Sequence, residues 1–191
     1  MEILMKIQKA NDYNLKKSDN MNNKLFLVCP FSCMENVIIQ KYGDDVFFIT
    51  GIAAGLQLNE EGYAAVIKDF ISRENITEVF IVNDTSCRFI NNVLNNENSF
   101  GTHSETVIQN LFDENFYSLL KGKTLNEQQV ILAELNIKRQ AKEMMKPDLF
   151  LNQITKGKIC IKGLINEMFI LKLNGKGIQY FLFVIFSYWE L

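Results

Sequence analysis

The sequence predicts an α/β protein: a central, mostly parallel sheet flanked by helices, with an N-terminal arm and an apolar C-terminal strand. Two observations carry that expectation. Three near-continuous apolar runs of strand length, "KLFLVC" (24–29), "DVFFIT" (45–50) and "EVFIVN" (78–83), recur along the first half of the chain. Helical patterns separate them. Strands that are apolar on both faces, alternating with helices, suit a parallel sheet covered on both sides.

The elements follow in order. Residues 1–24 are polar, rich in Asn and Lys, and read as an arm; 25–191 read as a single domain. After the first run, "ENVIIQKYG" (35–43) is a short helix with Gly43 as a natural C-cap. The second run leads into a turn, "GIAAG". In "NEEGYAAVIKDFISREN" (59–75), apolar residues at 63, 66, 67, 70 and 71 form a helical stripe with acids in its first turn. "RFINNVLNNENSFGTHSET" (88–106) reads as a polar connection, and 107–146 as helix ending near Pro147. Residues 157–189 read as strand, turn, strand, with Gly175 and Gly177 in the turn.

A chain of 191 residues is long enough to bury a sizeable core, and 48% hydrophobic with 22% charged residues is not a disordered composition. The net charge of −2 offers no basic surplus for nucleic acid. The N-terminus lacks the apolar core of about 7–15 residues that a secretion signal needs, so a cytoplasmic protein is expected. The apolar tract "QYFLFVIFSYW" (179–189) is too short for a membrane helix of about 20 residues and suits a buried strand or a subunit interface. Four cysteines in such a chain favour thiols, metal ligation or catalysis over a disulfide framework.

Ligands of open α/β sheets collect beyond the carboxyl ends of the strands. The first apolar run ends at Cys29, and the third ends in "NDTSC", with Asp84 and Cys87 just past it. Two thiolates and a carboxylate make an acceptable zinc set with one coordination position open. Cysteine is also among the most buried residue types, so the same positions suit a packed core. Cys33 could add a fourth ligand or fill a pocket. Cys160 reads as a core strand residue, and His103, the only histidine, lies on the polar connection.

The order of elements and several local motifs resemble the β-class carbonic anhydrases. "GDDVFFITGIAAG" (43–55) is similar to that family's second strand and turn, and "NEEGYAAVIKDFISRENITEVFIVNDTSC" (59–87) to its helix, strand and ligand loop. Residues 135–178 resemble its later segment, so the similarity spans roughly 25–178. The resemblance implies a zinc centre, dimers or higher homo-oligomers, and hydration of CO2 to bicarbonate. It aligns Cys29 and Cys87 with two zinc cysteines and Asp84 with the histidine ligand.

The family's "C-x-D-S-R" motif reads here "CPFSC". Ser32 is kept, but Phe31 stands where the family has its acid and Cys33 where it has the arginine that holds that acid. Arg88 replaces the glycine after the last cysteine. A shifted alignment would make Cys33 the ligand and Glu35 the acid, at the cost of running the strand through Pro30. No catalytic residue is assigned. Three functions are open: a zinc-binding relative with little or no hydratase activity, an active carbonate dehydratase, and a metal-free module that binds a small molecule or anion, or serves in assembly.

Overall fold

The computed structural model describes residues 7–9, 23–56, 58, 60–97, 100–146, 150–166 and 187–190. Its sheet has six strands: β1 (Ile7–Lys9), β2 (Asn23–Val28), β3 (Val46–Thr50), β4 (Ile76–Asp84), β5 (Cys160–Asn166) and β6 (Ser187–Glu190). Their spatial order is β1-β3-β2-β4-β5-β6. The four central strands are parallel, and the two edge strands run antiparallel to them. Three residues of the predicted arm thus form an edge strand, and the end of the predicted C-terminal strand forms the other. The expected turn at Gly175 and Gly177 lies outside the described residues.

The three apolar runs become β2, β3 and β4 because both faces of each are buried. On one face Leu25, Leu27, Phe47, Ile49, Val79 and Ile81 join a core with the helices α2 (Glu61–Arg73), α3 (Arg88–Leu94), α4 (His103–Asn115) and α5 (Leu125–Met144). On the other, Phe26, Phe48, Phe80 and Leu164 pack under α1 (Glu35–Tyr42). Phe26 and Phe80 stack with ring centroids 4.6 Å apart across the β2–β4 pair. This cross-strand pairing of aromatic and branched side chains favours strands over helices for such runs.

α1 ends at Gly43, whose φ of +83° is costly for a residue with a Cβ. A short helix α6 (Leu151–Thr155) precedes β5. Among the described residues no helix is long and apolar enough to cross a membrane.

Two expectations are corrected. The connection expected over 88–106 contains α3 and the start of α4. α3 is polar in text, but Phe89 and Ile90 sink into the core, and this burial overrides the weak helix propensity of its asparagines. α4 begins with a capping box: the Thr102 hydroxyl accepts from the Glu105 N–H, and the Glu105 carboxylate accepts from the Thr102 N–H at 3.0 Å. The helix expected over 107–146 is also divided. A π-helical turn, Phe116–Leu120, ends α4, and Gly122 at φ +78° turns the chain before a second capping box, Thr124 with Glu127, opens α5.

Candidate functional site

β2 lies between β3 and β4, so the chain leaves it toward one side and returns on the other. The crevice between the carboxyl ends of β2 and β4 is the switch point where open α/β sheets place ligands. Cys29 and Cys87 stand there.

Cys29 is the first residue after β2. A tight turn follows: the Ser32 N–H and hydroxyl both donate to the Cys29 carbonyl, at 3.0 and 2.7 Å. After β4, the Cys87 N–H donates to the Asp84 carbonyl at 2.9 Å, which folds the chain back and starts α3. Both cysteines are buried, each 3% exposed.

Their side chains meet. Interaction with the Cys87 thiol is the main reason the Cys29 thiol is lowered from its ordinary value to about 7. Burial opposes the shift, and the backbone amides of Phe31, Ala53 and Ala54 add to it. Cys87 is pushed up by its interaction with Cys29, by burial and by the Cys29 charge. The two thiols therefore titrate as a pair, with Cys29 the one that gives up its proton first.

Two of those amides, of Ala53 and Ala54, belong to a strained turn. After β3, Ile52–Ala54 form a 3-10 turn in which Ala53 and Ala54 have φ of +53° and +56°. Left-handed conformations are costly for alanine and persist where surrounding contacts hold them. Here the Gly51 N–H donates to the Val28 carbonyl, and Asn136 from α5 donates 2.9 Å bonds to the Ala53 carbonyl and to Asn83 Oδ1.

Asp84, 2% exposed, is held by other groups. Its Oδ1 accepts from the Ser86 N–H at 2.6 Å and the Ser86 hydroxyl at 2.5 Å, and its Oδ2 accepts from Asn166 Nδ2 at 2.6 Å. Among the described residues, no group of three His, Cys, Asp or Glu side chains is placed to hold a metal ion. The structure thus brings Cys29 and Cys87 together and anchors Asp84 to Ser86 and Asn166.

The neighbouring positions differ from expectation. Cys33 is exposed at φ +50°, so it fills no pocket. Phe31 is 59% exposed and packs edge-on against Phe89 at 5.5 Å. Glu35 opens α1. Arg88 lies over the Phe100 ring at 4.6 Å. Cys160 is exposed at the start of β5 rather than in the core. His103 is the first residue of α4 and lines a pocket rather than a loop. Asn136 was not singled out in the sequence, and no local signal marks it, because its partners lie 53 and 83 residues away.

No family model matches the sequence, and no curated protein matches it. Solved structures do. A tetrameric β-carbonic anhydrase from Sordaria macrospora aligns at TM-score 0.65 and 17% identity, over 78% of this chain and 77% of its own. The β-carbonic anhydrase CafA of Aspergillus fumigatus aligns at 0.63 and 24%, over 76% and 70%. CafD of the same fungus aligns at 0.65 and 14%, over 85% and 93%. The fold is that of the β-carbonic anhydrases. The thiol pair sits in that fold with the segment "CPFSC" following β2.

Proposed function

We propose that this chain is a zinc-binding protein of β-carbonic-anhydrase fold, holding the metal through Cys29, Cys87 and Asp84, with little or no CO2 hydration. The observation that carries the zinc reading is the burial of Cys29 and Cys87 side by side at the carboxyl ends of β2 and β4. The thiol pair fits a thiophilic divalent cation, which is bound by deprotonated sulfur. Asp84 has the right donor atoms, and a carboxylate offers about four lone-pair sites, of which three are used here. Metal binding calls for the Asp84 carboxylate to turn toward the thiols from its present partners Ser86 and Asn166.

Bound zinc supplies Lewis acidity. Two thiolates and a carboxylate would set three negative charges against it and weaken that acidity. The chain's own residues add nothing to compensate. Phe31 can neither accept a hydrogen bond nor take a proton, and Cys33 points to solvent where an arginine would anchor an acid. Loss of a positioned acid–base group costs about 10²–10⁴ in rate.

Stopped-flow CO2 hydration on the zinc-loaded chain tests the reading. The rate should stay near the uncatalysed rate. Clear catalysis that disappears in Cys29→Ser would establish a working dehydratase instead.

We also infer a homo-oligomer in a reducing, cytoplasmic setting. Phe31 and Phe100, 59% and 54% exposed and joined through Phe89, form an aromatic surface of the kind that subunit contacts cover. The four cysteines are all unpaired, which suits a reducing compartment.

A further inference from the structure

On the α4 and α5 side of the turn at Gly51–Gly55 lies a cavity of about 300 Å³. That is the lower end of the size range of small-molecule sites. One wall is Arg139 of α5, a half-buried guanidinium. Among the described residues it has no carboxylate within ion-pair distance, and its Nε is sealed from solvent with no hydrogen-bond acceptor. Glu143, one turn further along α5, also lines the cavity but is already paired with Lys146, which lines it too.

A guanidinium keeps its charge at any ordinary pH, so burial without an acceptor leaves an unmet demand. Burial does pull the Arg139 pKa down, only partly offset by Glu143. A planar carboxylate meets that demand best, because it matches the fork of N–H donors two by two.

The rest of the cavity suits such a ligand. His103 and Ser104 in the first turn of α4 supply polar groups, and Tyr63 of α2 supplies a phenol. Burial and the neighbouring Glu60 push the Tyr63 pKa up to about 12, so it stays a hydroxyl donor at neutral pH. Leu58 and Val107 supply an apolar wall.

We propose that this pocket binds a small organic monocarboxylate, with its carboxyl group on Arg139 and its apolar body against Leu58 and Val107. The site is separate from the thiol pair, with only the turn at Ala53 shared between them.

Calorimetric titration of the full chain with benzoate tests this, with benzyl alcohol and inorganic phosphate as comparison probes. Wild type should bind benzoate saturably, with benzyl alcohol and phosphate each at least about tenfold weaker, a difference of about 1.4 kcal/mol. Arg139→Gln should weaken benzoate by at least about tenfold, and Arg139→Lys, which keeps the charge but loses the fork, should fall between. If Arg139→Gln fails to fold, Val107→Phe supplies the second variant and should abolish binding by filling the cavity. Cys29→Ser should bind as wild type does. No saturable benzoate binding, phosphate binding as tight as benzoate, or binding unchanged in Arg139→Gln or Val107→Phe would overturn the proposal. Loss of binding in Cys29→Ser would assign the ligand to the thiol centre and overturn it equally.

Discussion

Cys29 and Cys87 stand side by side at the carboxyl ends of β2 and β4, so that each thiol shifts the titration of the other at the switch point of the sheet. The two residues are 58 positions apart and both are buried, while Cys33 and Cys160 are exposed. This division predicts reactivity. Under native conditions two thiols per chain should alkylate quickly, at Cys33 and Cys160, and two should resist until the protein unfolds. Peptide mass spectrometry after a short iodoacetamide pulse reads the outcome. Early labelling of Cys87 would contradict the burial.

The strained turn that brings amides to Cys29 depends on Gly51. A Cβ there would stand 2.2 Å from the Gly55 carbonyl oxygen, a backbone atom that cannot swing aside. Gly51→Ala should therefore cost about 1–3 kcal/mol, as overpacking does in rigid surroundings. Urea denaturation checks it. An unchanged midpoint would mean that the turn has another arrangement of similar energy.

Asn136 makes a second test of the same turn. Replacing it with Leu removes donors from the Ala53 carbonyl and from Asn83 Oδ1, both inside the protein. The Ala53 carbonyl keeps a donor in Gln140 Nε2 at 3.5 Å, so Asn83 Oδ1 is the buried acceptor left unmet, at about 1–3 kcal/mol. Asn136→Leu should be among the more destabilising single changes in α5, and Asn136→Asp, which also lacks the amide donor, should not rescue it.

Glu105 gives a pH dependence. It is 4% exposed, and burial alone would raise its pKa. Hydrogen bonds from the Phe100 and Thr102 amides and the Thr102 hydroxyl outweigh burial and hold it below the usual value of 4.5. A carboxylate with a lowered folded pKa adds stability that is present above its unfolded pKa and lost as pH falls through the folded one. Glu105→Gln should therefore cost about 1–2 kcal/mol at pH 7, in line with other helix caps. The gap to wild type should close as pH drops below 4.5. A gap that is constant from pH 7 to pH 3 would remove the charge from the explanation.

Much of the fold was legible because it is written locally. The apolar runs at 24–29, 45–50 and 78–83 overlap β2, β3 and β4 to within a residue or two, and Gly43 ends α1. The order of these segments also carried the resemblance that the structural neighbours bear out at the level of fold. The missed start of α4 was also in the sequence, since Thr102-His-Ser-Glu105 spells a capping box. α3 was not legible, because only its burial makes a polar, asparagine-rich stretch helical.

The site divides the same way. The ends of β2 and β4 point Cys29 and Cys87 to one place, and that follows from topology. The engagement of Asp84 depends on Asn166, 82 residues on, which no local spacing reveals. Arg139 gave no signal either, since its role comes from what the tertiary structure leaves beside it.

Zinc content tests the central claim most directly. The chain would be purified without chelator or affinity metal, dialysed against limiting zinc, and assayed for metal beside Cys87→Ala and Asp84→Ala. The account predicts about one zinc per wild-type chain, lost in Cys87→Ala and weakened in Asp84→Ala. Absence of zinc from wild type, or its full retention in Cys87→Ala, would contradict it.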